Sequence, residues 1–146
     1  LETIERLSEA GIPVAVMMAP MIPALNDHEI EGLLSEAANA GAVRAGYVLL
    51  RLAHDLKDIF HEWLAEHYPD RAARIINTLR DMRGGADYDS RWFERGKGGG
   101  PVARLIALRF GRAIRKLGLN PPRRPLRTDL FQPPQSPNDR QLSLGL

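Results

Sequence analysis

The stretch "GIPVAVMMAPMIPALNDHEIEGLLSEAANAGAVRAGYVLLRL", residues 11–52, decides the fold. Its run "IPVAVMMA" (12–19) is short, apolar and bounded by turn formers, which predicts a buried strand. Pro20 and Pro23 then stiffen a loop, and Asp27 is placed to cap a helix. "HEIEGLLSEAANA" (28–40) has helical spacing, with Ile30, Leu33, Leu34 and Ala37 on one face, and Gly41 ends it. "VRAGYVLLRL" (43–52) predicts a second buried strand. Strand, loop, helix, glycine, strand is the rhythm of a parallel α/β sheet, whose strand-to-helix loops gather where ligands bind.

Around this unit the pattern is helical. Residues 1–10 predict the end of an amphipathic helix, with Ile4 and Leu7 on one face and Gly11 as its cap. "DIFHEWLAEHY" (58–68) predicts a helix with Ile59, Trp63 and Leu64 inward, and "RAARIINTLRDMR" (71–83) predicts another after Pro69. Residues 84–100 are glycine-rich and irregular, and 101–118 form a basic amphipathic helix with Pro101 in its first turn. From Leu119 onward proline and polar residues predict a disordered or extended tail.

Composition narrows the chemistry. The 146 residues include no cysteine, which excludes disulfides, thiolate metal sites and cysteine nucleophiles in this chain. No apolar run approaches the ~20 residues that span a bilayer. The opening "LETIERLSEAG" lacks the basic-then-apolar pattern of a signal peptide, and the expectation is a cytoplasmic protein off the membrane. The chain opens within a helix without an initiator Met, which suggests a piece of something longer. Charge is uneven: residues 91–127 carry eleven Lys/Arg against one acid, and the rest has nine against seventeen. A basic segment of this kind suits phosphate or nucleic acid, or a solvated helix face.

The succession "GIPVAVMMAPMIPALNDHEIEGLLSEAANAGAVRAGYVLLRLAHDLKDIFHEWL", "HYPDRAARI", "MRGGADYDSRW" and "GGGPVARLIALRF" resembles the radical S-adenosylmethionine (SAM) proteins, within them the spore photoproduct lyase-like group. The resemblance covers residues 1 to about 110 and implies an α/β fold that is the C-terminal part of a partial (β/α) TIM-like barrel. It divides the chain into barrel (1–57), helical extension (58–118) and tail (119–146). It implies an iron–sulfur enzyme in which three cysteines, spaced CxxxCxxC, hold a [4Fe–4S] cluster that cleaves SAM to a 5′-deoxyadenosyl radical. Those cysteines and the N-terminal barrel portion are missing here, so the chain alone should not perform radical chemistry.

In the family, a late strand and its loop contact the adenosine of SAM. That pattern falls on Pro20, Ile22, Ala24 and Asp27, with Ala24 where Gly is usual and Asp27 where Glu is usual. Pro23 and Asn26 belong to the same loop, and Tyr47, Leu49, Arg51 and His54 would supply contacts from the next strand and its loop. Equally, the two prolines can simply shape a loop and Asp27 simply cap a helix. The histidines show no metal-binding spacing, and His61 and His67 are expected to be solvated. "RGKGGG" (95–100) lacks the order of a phosphate-binding P-loop. Tyr88, Trp92 and Phe93 interleave with Arg83, Arg91, Arg95 and Lys97, a mixture that suits base stacking or a packed loop. Arg104, Arg109, Arg112, Arg115 and Lys116 give the last helix a positive face, for which a DNA or RNA backbone is the expected partner.

The ending "QLSLGL" (141–146) resembles the hexapeptide with which bacterial repair and replication proteins bind the DNA sliding clamp, through Gln141, Leu142, Leu144 and Leu146. Alternating leucines on an extended segment suit apolar pockets. Together these features imply a parent that is a lyase-like DNA repair enzyme. The alternative is a non-catalytic adaptor that bridges nucleic acid and the clamp.

Overall fold

A computed structural model describes residues 1–52, 55–86, 96–122, 128, 129, 131 and 132. Its elements run α1 (Glu2–Glu9), β1 (Ala15–Met21), a 3-10 turn (Asp27–Glu29), α2 (Ile30–Asn39), β2 (Arg44–Leu49), α3 (Leu56–His67), α4 (Pro69–Asp81) and α5 (Gly100–Lys116). The protein is α/β among the described residues, with five α-helices and a two-stranded parallel sheet. Ala15 pairs with Arg44 and Met17 with Gly46, and the register shifts between Met18 and Met21.

Local chemistry explains the connections. Gly11 and Gly41 have φ of 74° and 97° and close the C-terminal turns of α1 and α2. There Ile12 N–H donates to the Leu7 carbonyl and Ala42 N–H to that of Ala37. The strand begins later than its apolar run and extends through Pro20 to Met21, so Pro20 belongs to the strand and not to the loop after it. Proline is tolerated there because the β1–β2 register is interrupted between Met18 and Met21. Asp27 caps no helix by its side chain; it opens the 3-10 turn that leads into α2.

The sheet has two unlike faces. Val16, Met18, Ala45, Tyr47 and Leu49 pack toward α2 and α5, against Leu34, Ala37, Ile106 and Phe110. The alternate residues Ala15, Met17 and Ala19 of β1 are exposed, Met17 at 61%. Residues 1–57 and 58–118 therefore share one core. A second core joins the loops beyond both strands, through Ile22 and Leu52, to Leu64 of α3 and to Ile75, Ile76 and Leu79 of α4.

Three helical expectations need correction. Leu33 is 49% exposed, so only Ile30, Leu34 and Ala37 of α2 face the core. On α3 only Leu64 is buried; Ile59 is 60% exposed and Trp63 37% exposed. Trp63 instead stacks on Phe60 and His67, with ring centroids 5.9 and 5.1 Å apart. Periodicity identified the helices, but α4 lies to one side of α3, so half of α3's apolar stripe stays in solvent.

Candidate functional site

The two edges of the sheet differ as much as its faces. Leu49 N–H donates to the Gly96 carbonyl and Ala45 N–H to the Leu119 carbonyl, so two later segments border β2. Among the described residues no segment pairs with the other edge of β1. Gly98 is the glycine that this sealing depends on. Gly98 has φ 62°, and a Cβ there would lie 3.2 Å from both Leu49 Cδ1 and Met82 Cε. This segment packs along β2.

Beyond Met21 the chain turns sharply, and Asn26 holds the turn. Its Oδ1 accepts from Ile22 N–H at 2.7 Å, and its Nδ2 donates to the Pro20 carbonyl at 3.1 Å. Ala24 has φ 61°, a left-handed conformation that glycine adopts more easily. The positive φ gives a physical reason for a glycine preference at this position. Arg71 of α4 donates to the Ala24 carbonyl, and Arg83 donates to the Leu50 carbonyl. Two arginines thus hold the loops beyond β1 and β2. Arg83 is buried, which removes it from the expected stacking surface.

Asp27 is engaged by α5. Arg109 Nε and Nη2 donate to the Glu31 carboxylate at 2.9 and 2.6 Å, and Asp27 Oδ2 lies 3.5 Å from Arg109 Nη1. The hydrogen bonds from Arg109 hold the Glu31 carboxyl below its ordinary pKa. Arg109 therefore leaves the outer positive face and ties the start of α2 to α5.

The expected contact residues separate into distinct settings. Ile22, Pro23 and Leu49 are buried, so their side chains offer nothing to a ligand in this arrangement. Tyr47 packs against Phe110 in a tilted pair, ring centroids 4.7 Å apart, and burial raises its phenol pKa. Pro20 and Arg51 are exposed, and Ala24, Asn26 and Asp27 are half-buried. His54 lies outside the described residues, as do Tyr88, Arg91, Trp92, Phe93, Arg95, Gln141, Leu142, Leu144 and Leu146. His61 is not fully solvated: its Nε2 is buried without a hydrogen-bond partner among the described residues.

What the structure does bring together is a shallow cavity of about 250 Å³ lined by Met18, Ala19, Pro20, Met21, Asn26 and Leu33. It lies where β1 runs into the Asn26-held loop beside α2. Sequence reasoning missed Arg71, Arg83 and Arg109 as the groups that fix this region. Their partners are 47, 33 and 78 residues away in the chain, so only the tertiary fold reveals them.

No group of three or more His, Asp or Glu side chains suited to a metal ion occurs among the described residues. No helix among them is long and apolar enough to cross a membrane. No protein-family model matches the chain, and no curated protein or solved structure is a significant match.

Proposed function

We propose that residues 1–146 are the C-terminal part of a (β/α) barrel of radical SAM type, in the spore photoproduct lyase-like group. The observation that carries this reading is the asymmetry of the sheet. β2 is bordered by later segments of the chain, whereas among the described residues nothing pairs with the other edge of β1, which also has an exposed face of small and flexible side chains. Parallel sheets are normally covered on both faces and extended by further strands. A barrel whose preceding strands add to β1 would enclose Ala15, Met17 and Ala19 within its interior.

In this reading the end of β1, braced by Asn26, presents the backbone of Ala19 and Pro20 to the adenosine of SAM. Ala24 keeps the turn tight, and Arg51 stands exposed at the end of β2. Asp27 orients the loop through Arg109. The cavity beside Ala19 and Pro20 and the backbone carbonyls around it suit a nucleoside's flat, polar edge. The iron–sulfur cluster does not fit this chain, because no cysteine is present to ligate it. In this reading its ligands belong to sequence outside residues 1–146. The basic segment 91–127 points to nucleic acid as the partner, and the tail 141–146 to the sliding clamp.

The test is anaerobic cluster reconstitution of a longer protein that includes residues 1–146, followed by reduction with dithionite in the presence of SAM. Formation of 5′-deoxyadenosine by the longer protein, and none by residues 1–146 alone, supports the proposal. A reconstituted protein that leaves SAM intact refutes it. The cysteine-free composition favours a second reading, a non-catalytic adaptor between nucleic acid and the clamp. Clamp pull-down that is unchanged by deletion of 141–146 refutes its clamp contact.

A further inference from the structure

We propose that the outer face of α5 is a docking surface for the phosphate backbone of a nucleic acid. The inference rests on the nucleic-acid partner proposed above and specifies where and how it binds. Helical geometry places Arg104, Leu105, Leu108, Arg112, Arg115 and Lys116 within about one third of the helix circumference. All six are exposed, Leu105 at 56% and Leu108 at 69%. The opposite face buries Ala103, Ile106, Phe110 and Ala113 in the core, which fixes the orientation of the cationic face.

The charge on this face is unbalanced. The helix contains no acid. Arg104, Arg112, Arg115 and Lys116 make no ion pair or hydrogen bond through their side chains among the described residues. The nearby acids Asp27 and Glu31 are already engaged by Arg109 at the flank. A cluster of like charges with no partner raises the local potential and favours a polyanion.

Geometry selects the polyanion. From Arg104 to Lys116 the face spans ~18 Å, which matches about five base steps of one nucleic-acid strand. Arginine predominates, and its planar fork binds phosphate oxygens in pairs. A lipid surface fits less well, because insertion needs a broad apolar face and this helix has spent its own on the core. Leu105 and Leu108 are flanked by cations and offer only a narrow apolar strip, suited to the sugar faces between phosphates.

Fluorescence anisotropy of a short fluorescein-labelled DNA duplex, titrated with the 146-residue chain across sodium chloride concentrations, tests this. The triple variant Arg104→Gln, Arg112→Gln, Arg115→Gln removes three exposed cations without touching the core, and circular dichroism verifies its fold. The plot of log affinity against log salt becomes shallower by roughly 2.7, at ~0.9 for each lost phosphate contact. An unchanged slope overturns the proposal, as does an absence of DNA binding by the wild-type chain at low salt. Phosphatidylserine vesicles provide the other arm. Vesicle binding abolished by Leu105→Ala with Leu108→Ala, without DNA binding, assigns the face to a membrane and overturns the proposal. The assay requires no SAM or cluster, so its failure leaves the barrel reading standing, and failure to cleave SAM leaves this result standing.

Discussion

Replacing Ala24 by glycine should stabilise the protein, against the usual direction of that substitution. Ala24 has φ 61°, where a Cβ crowds the backbone. An L-residue held there costs about 1–2 kcal/mol relative to its preferred region. Glycine removes that cost but loses about 0.5–1 kcal/mol through the greater freedom of the unfolded chain. The net expectation is a gain of about 0.5–1 kcal/mol, taken as the difference of these two effects. The Arg71 contact survives, because it is made to the Ala24 carbonyl and not to its side chain. Urea unfolding followed by circular dichroism reads the effect as a higher midpoint at unchanged slope. For a chain of this size the melting temperature should rise about 2–4 °C per kcal/mol. A midpoint lowered by Ala24→Gly would mean that the left-handed turn is not strained, and the account of this loop would fail.

Three further perturbations probe the same region. Asn26→Ala leaves the Ile22 N–H without its acceptor and should cost about 1–3 kcal/mol in urea unfolding, whereas Asn26→Asp keeps an acceptor and should cost less. Gly98→Ala forces a Cβ to 3.2 Å from Leu49 and Met82 at φ 62°, and should lower stability by about 2 kcal/mol or more; a neutral result would remove the sealing role of this segment. Arg109 lowers the Glu31 pKa, so the pair adds stability above the unfolded carboxyl value of about 4.5 and loses it as pH falls through the lower folded value. Glu31 is about half exposed, so solvent screens the pair and the effect is small, ~0.5 kcal/mol, and urea midpoints of Arg109→Met should show a weaker decline below pH ~4.5 than wild type.

The strand–helix–strand unit was legible because its signals are local: apolar runs of strand length, a helical stripe through Ile30 and Leu34, and glycines where positive φ is required. Other features failed to show for equally specific reasons. Asp27 has the chemistry of a helix cap, but Arg109 arrives from α5 to engage it. Tyr47 and Leu49 lie on the site strand, yet the period-2 alternation turns their side chains to the helices. Trp63 and Ile59 fit a helical stripe, but periodicity does not reveal how wide the covering neighbour is. Arg71 and Arg83 look like surface charges in sequence and act as donors to loop carbonyls in the fold.

The edge of β1 that no described residue pairs with makes the central claim directly checkable at the level of the gene. The measurement is the coding DNA upstream of Leu1. The account predicts an uninterrupted frame of ~150–250 residues, the missing portion of a barrel, that encodes CxxxCxxC. A stop codon shortly upstream of Leu1, or a long open frame without that cysteine motif, contradicts the radical SAM proposal.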